Sequence, residues 1–299
     1  MKNIILTLLS IPKIGRKSVD YFIDYMKEEP QNENDIVDIF INLKKSNNKI
    51  KIPTLDEVKL AHYKSKEIIY LSKKQNIETI DILNENFPKR LKYIENRPKI
   101  LFYKGNYDAV INKYSLAIIG SRDASEYGQK NAYEMAYSFA KDNYSIISGL
   151  AIGCDTYAHK GCLDANGMTV AVLSSGLDKI YPIINKELSE KIIENKGCLL
   201  SEYPIGTSSF KNNFIERDRI ESGLSLGTMV IEANIKSGTM HPANFTLNQK
   251  RLLICFNTNR SGNKFLLKNN NVMSINGKDD ISRIKIQLDK VRESLENKK

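Results

Sequence analysis

No stretch of this 299-residue chain approaches the roughly 20 consecutive apolar residues that a membrane-spanning helix needs, so no span is expected. The opening MKNIILTLLSIPKIG has one lysine ahead of a short apolar stretch and no small-residue cleavage site, which argues against a signal peptide. Cysteine occurs four times, at Cys154, Cys162, Cys198 and Cys255, without CxxC or framework spacing. Free thiols in a reducing cytoplasm are expected, not a disulfide scaffold. Cys154, His159 and Cys162 lie on one short helical stretch, and three ligands from one such helix cannot surround zinc. No metal is expected. No strand runs into GxGxxG and no Walker A loop is present, so neither a dinucleotide nor nucleotide hydrolysis is indicated. Internal repeats and long low-complexity segments are also lacking.

Acid is scarce relative to base. The formal net charge is +10. The excess is spread out: 20 basic against 15 acidic groups in residues 1–112, 19 against 17 in 113–280, and 6 against 3 in 281–299. That balance favours polyanions, nucleic acid first; the alternative reading is that lysine serves only to solvate a surface.

The most informative pattern lies between Ser115 and Asn257. Short β-branched runs end on small residues and are followed by helix-compatible stretches. They are SLAIIG (115–120), YSIISG (144–149), MTVAVL (168–173), TMVIE (228–232) and LLICF (252–256), with a shorter run at Gly197–Leu200. Such runs read as strands of a parallel sheet buried on both faces, whose carboxyl ends form the ligand-facing edge. Ile100–Tyr103 is expected as a further short strand leading in. Residues 1–75 look mostly helical, with a Pro/Gly break at Ile11–Gly15. Residues 279–299 carry Ile281, Ile284, Leu288, Val291 and Leu295 at 3-4-3-4 spacing, a helix with a narrow apolar stripe that docks on its own domain or on a twin chain.

Several turns at the expected edge suit anions. Gly120-Ser121-Arg122 precedes a helix capped by Ser125, where unpaired amides meet a forked cation. Ser148-Gly149 leads into LAIGCD, with Asp155 and His159 one helical turn apart. That pair is read either as an oriented general base or as a capping Asp beside a structural His. The second is more economical, since no Ser or Cys nucleophile accompanies it. Phe210–Arg219 interleaves aromatics with arginine, which suits base stacking plus phosphate pairing, or merely a helix start with salt bridges. Lys236-Ser237-Gly238-Thr239 follows the fourth run. Together these corners suggest one extended basic groove for a polymer of phosphates.

Residues 115–239 resemble the bacterial DprA/Smf (DNA-processing protein A) family. The stretches that carry the resemblance are AIIGSRDASEYG (117–128), SGLAIGCDTYAHKGCLDANGMTVAVLSSGLDKIYP (148–182), GCLLSEYPIGTSSFKNNFIERDRI (197–220) and EANIKSGT (232–239). FPKRLKYIENRPKILFYKGN (87–106) is similar to the segment leading into that domain. The resemblance implies an α/β fold: an extended Rossmann-like parallel sheet with helices on both faces, preceded by a small helical, sterile-alpha-motif-like (SAM-like) domain. The expected division is 1–75 helical domain, 76–278 Rossmann-like domain and 279–299 amphipathic helix. It further implies a non-enzymatic, cytoplasmic, dimeric binder of single-stranded DNA that needs no cofactor. Such a protein protects the strand and hands it to a RecA-type recombinase in natural transformation. The implied DNA-binding residues are Gly120, Ser121, Arg122, Ser125, Ser148, Gly149, Phe214, Arg217, Arg219, Lys236, Ser237 and Gly238.

The chain departs from the family pattern. Ile152 stands where arginine is usual, Asp218 where asparagine is, and Ile215 where proline is. His241-Pro242, Phe256-Asn257 and Asn269-Asn270-Asn271 also differ, and the winged-helix domain of some members is not expected. A second resemblance, to LOG-like nucleotide-handling proteins, would make the cleft a nucleotide sensor or hydrolase with Glu232 or Asp155 as the acid. The PGGxGT signature of those proteins is missing, however. A third reading makes the Ile281–Leu295 stripe a partner-recruiting surface.

Overall fold

The computed structural model describes residues 3–297. The chain divides into two compact units, Met1–Phe87 with Asn96–Leu101, and Pro88–Glu95 with Phe102–Lys299. Residues 76–87 and 96–101 thus belong with the first unit rather than beginning the second. The last helix belongs to the second unit. Residues 1, 2, 298 and 299 of the expected terminal segments lie outside the described residues.

The first unit is helical, as expected: α1 (Ile4–Ser10), α2 (Arg16–Tyr25), α3 (Glu33–Ser46) and α4 (Leu55–Lys74), followed by the strand β1 (Glu78–Asp81). Asn32 caps α3 and Thr54 caps α4, each in a reciprocal box with an acid three residues on. The Pro/Gly break ends α1, and Gly15 serves as the N-cap of α2. Ile5, Leu8, Val19, Phe22, Ile36, Phe40 and Val58 are buried in this unit, with the Phe22 and Phe40 rings 5.3 Å apart. Lys99 is fully buried and is tolerated because Asp20 lies 2.5 Å from its Nζ.

The second unit is the expected α/β body. Its elements are β2 (Ile100–Gly105, from Phe102 on), α5 (Asp108–Ile111), β3 (Ser115–Ile119), α6 (Glu126–Lys141), β4 (Ser145–Ser148), α7 (Cys154–Asp164), β5 (Thr169–Leu173) and α8 (Lys186–Glu194). They continue with β6 (Cys198–Ser201), α9 (Lys211–Leu224), β7 (Gly227–Val230), α10 (Met240–Asn248), β8 (Leu252–Phe256), α11 (Ser261–Leu266), β9 (Val272–Ile275) and α12 (Ile281–Glu296). The strand order is β2-β6-β5-β4-β3-β7-β8-β9. All neighbours pair in parallel except β2, which runs antiparallel to β6. Strands β3 to β7 are buried at every position, the double-faced burial that their unbroken apolar runs demand.

Chain direction across the sheet reverses at β3. From there β4, β5 and β6 build one way, and β7, β8 and β9 the other. The crevice at such a switch point is where open α/β sheets bind ligands. The apolar stripe of α12 is covered by its own unit: Ile284 and Leu288 are fully buried, and Ile281, Val291 and Leu295 pack against the same core. Of the two docking modes expected for it, the intramolecular one is found, and the stripe is not free to recruit a partner.

Candidate nucleic-acid interface

The switch-point crevice is already filled. Glu232 follows β7 and turns its carboxylate onto the start of α6, accepting from the Ser125 amide at 2.9 Å and the Ser125 hydroxyl at 2.5 Å. Arg260 adds a 3.2 Å ion pair. The Ser125 hydroxyl also caps α6 by accepting from the Gly128 amide. The anion at this helix start is therefore the protein's own, and Ser125 is occupied in holding it. Ser121 is likewise engaged, its amide donating to the Glu232 carbonyl and its hydroxyl accepting from the Asp123 amide. A Cβ at Gly120 would fall 2.4 Å from Cys154 Sγ, so that glycine lets β3 meet the start of α7 rather than a ligand.

The next turn repeats the arrangement. The Asp155 carboxylate accepts from the amides of Gly149 (3.1 Å) and Ala151 (3.3 Å). Between them Leu150 is buried with φ at 61°, a left-handed conformation that the two bracketing hydrogen bonds hold in place. Ser148 is buried and donates to the Ile118 carbonyl. A Cβ on Gly149 would lie 1.6 Å from an Arg217 terminal nitrogen. The expected close approach at Gly149 exists, but its visitor is an internal arginine. Ser148 is therefore corrected from ligand-facing to structural, whereas Gly149 packs against Arg217 and still borders the outward-facing cavity.

Arg217 and Arg219 are corrected too. Arg217 is buried, donates to the Val172 carbonyl and to Glu221, and has Asp218 3.3 Å from Nε. Asp155 adds a third carboxylate acting on it. Three acids around one guanidinium leave excess negative charge, and burial drives all three carboxyls up, Asp218 to about 7. Arg219 is 1% exposed, with Glu202 at 2.6 Å and Glu216 at 3.8 Å. The arginines of the aromatic–basic helix thus make salt bridges, the plainer of the two readings of that segment.

His159 is structural. It donates through Nδ1 to Thr169, whose hydroxyl is itself committed to the Ile146 carbonyl. Burial lowers its pKa to about 3, which keeps the ring neutral. The four cysteines are free and buried. Among the described residues no group of His, Cys, Asp and Glu is placed to hold a metal.

What remains facing outward is a smaller constellation. A cavity of about 60 Å³ opens beyond β3 and β4, lined by Arg122, Gly149, Ala151, Ile152, Tyr181, Pro182, Phe214 and Arg217. Arg122 is exposed, and its guanidinium sits 5.4 Å from the Phe214 ring centre. Phe214 in turn meets Tyr181 edge-on at 5.7 Å. No carboxylate lies within ion-pair distance of Arg122 among the described residues. A cation laid over one ring, with a second ring alongside, can pair a phosphate and stack a base. Beyond the neighbouring strand β7, Lys236 and Gly238 are exposed and Ser237 is half-buried. Thr239 ties that turn to the end of β3 by donating to the Gly120 carbonyl at 3.2 Å. The expected cations along the edge thus reduce to Arg122 and Lys236. Tyr181, Pro182, Ala151 and Ile152 were not anticipated as cavity residues, although the Tyr181-Pro182 pair following a strand was a visible signal.

A sequence profile for DNA recombination-mediator protein A matches residues 78–284. The chain belongs to that family. Protein Smf of Escherichia coli is 38% identical over 168 residues, 56% of this chain and 45% of that protein. DNA processing protein DprA of Streptococcus pneumoniae is 40% identical over 172 residues, 57% of this chain and 60% of that protein. The chain thus spans about half the length of the curated relatives it matches. The fold is similar to that of DNA processing protein A from Streptococcus pneumoniae, with a TM-score of 0.73 at 28% identity over 93% of this chain and 92% of that one. It is also similar to DNA processing protein A from Helicobacter pylori, whose structure was described for its single-stranded DNA binding mode. There the TM-score is 0.65 at 27% identity, over 71% of this chain and 96% of that one.

Proposed function

We propose that this member of the family binds single-stranded DNA without turning it over. The strand passes the carboxyl ends of β3, β4 and β7. Arg122 holds a phosphate, Phe214 and Tyr181 present rings to the bases, and Lys236 with the Ser237-Gly238 turn adds a second phosphate contact. The observation that carries this reading is the unpaired Arg122 guanidinium lying over Phe214 at the cavity. Family membership and the Helicobacter pylori relative support it. A strand held this way is shielded and can be delivered to a RecA-type recombinase, by a cytoplasmic homodimer acting in transformation.

Binding without catalysis is favoured because the acids nearest the cleft are already in use. Glu232 is held by Ser125 and Arg260, and Asp155 by two backbone amides. The same contacts weigh against a nucleotide hydrolase using either group.

The test is an anisotropy titration of single- and double-stranded oligonucleotides at two salt concentrations. Affinity for the single strand should exceed that for the duplex and fall steeply with salt. No binding, or binding that ignores salt, overturns the reading. The delivery step is checked separately, by whether the protein speeds recombinase filament formation on covered single strands.

A further inference from the structure

Ile183 and Ile184 are 74% and 75% exposed, the most exposed large apolar side chains among the described residues. They follow directly on Tyr181 and Pro182, which line the cavity, and Ile152 on the cavity wall is 43% exposed. Single exposed apolar residues need no explanation, but an adjacent pair directly following two residues that line a candidate site does. The segment that carries them is anchored. Asn185 is buried, and its side-chain amide donates to the Leu150 carbonyl at 2.8 Å and to Thr156 Oγ1 at 2.9 Å. Thr156 Oγ1 in turn donates to the Ala151 carbonyl. The isoleucines are therefore tied to the same turn that forms the cavity floor.

We propose that Ile183 and Ile184 form an apolar wedge that lies against unpaired bases and sets the preference for single over double strands. This deepens the single-stranded DNA reading and rests on it. The occupant is a nucleobase because the ridge directly follows Tyr181 and Pro182 and is anchored to the Leu150–Ala151 turn, beside a site that already offers a cation and two rings, the pairing that phosphate and base require together. Apolar side chains of this kind act by slipping between bases that are free to separate. In an intact duplex the bases are stacked and paired, and the ridge meets only backbone.

The test uses the full chain with Ile183→Ser and Ile184→Ser combined, beside Ile183→Leu with Ile184→Leu and an Arg122→Glu arm. Both side chains are solvent-exposed, so an unchanged Tm is expected and checks folding. The serine variant should lose roughly tenfold in single-strand affinity and less than about twofold on duplex, with its salt slope unchanged, because no phosphate contact is removed. The leucine variant should restore affinity. A fluorescent adenine analogue that brightens on unstacking should brighten with the wild-type chain and not with the serine variant. Equal losses on both DNA forms, no loss at all, or a loss confined to recombinase association would overturn the wedge. If Arg122→Glu weakens binding while the serine variant keeps full selectivity, the wedge fails and the site stands. If the wild-type chain binds no oligonucleotide, the site reading itself has failed.

Discussion

Arg122 and Arg217 border the same cavity and could hardly be more different. Arg122 is exposed, lies over an aromatic ring and forms no ion pair among the described residues, feeling Asp218 only at longer range. Arg217 is buried under Asp155, Asp218 and Glu221, with a glycine cleared for it at position 149. Both are arginine. What separates them is the counter-charge around them. An arginine serves a ligand only where the protein has left its charge unanswered, and it serves the fold where the charge is answered internally.

The sharpest way to break this comparison is Arg217→Met. It strands three buried carboxylates, and removing one partner of a buried ionic cluster costs about 3–5 kcal/mol. A large fall in Tm is expected, with any loss of DNA binding following from unfolding. Should Arg217→Met keep its Tm and lose DNA affinity, the assignment of the two arginines would have to be exchanged. The converse variant is Arg122→Glu. Its Tm should hold within about 1 °C, while single-strand affinity at low salt falls more than about tenfold and the salt dependence becomes shallower by roughly one phosphate contact.

Asp218→Asn sharpens the comparison from the acid side. Burial raises this carboxyl to about 7, above its unfolded value, so the folded state binds the extra proton. Stability from this group is therefore present at low pH and lost as pH rises toward and through about 7. The asparagine variant should gain a few degrees of Tm at pH 8, with the gain shrinking as pH falls below about 7 and vanishing only below about pH 4, where the unfolded carboxyl is also protonated. Removing an anion that acts on Arg122 should also raise DNA affinity several-fold at pH 8. The smallest effect is expected at Gly238→Ala, because a Cβ there meets nothing within 4 Å. Its Tm should move by less than about 1 °C, in contrast to Gly149→Ala, where the added carbon collides with the Arg217 guanidinium.

Much of the fold was legible because burial on both faces writes itself locally. Runs such as SLAIIG and MTVAVL cannot be amphipathic, and each became a fully buried parallel strand. The Ser125 cap and the α12 stripe were local as well. Strand β9 was not read, since Val272-Met-Ser-Ile275 follows a polar asparagine run and is only partly buried. The candidate site was legible in part. Arg122 and Lys236 could be placed at the edge from strand ends, and Phe214 from the aromatic–basic run and the family resemblance. The fates of Arg217 and Arg219 could not, because they depend on groups remote in sequence, notably Asp155 for the first and Glu202 for the second. Spacing tells which side chains share a helix face. It does not tell which distant acid will come to meet them.

Glu232 has a wider consequence. A helix start that houses a tethered acid within the molecule is deaf to loose competitors such as inorganic phosphate or free nucleotides, which would have to evict a neighbour that never diffuses away. On the proposed reading, recognition is thereby shifted from a single tight socket to shallow contacts strung along the rim, each too weak to retain a monomer and collectively enough for a chain.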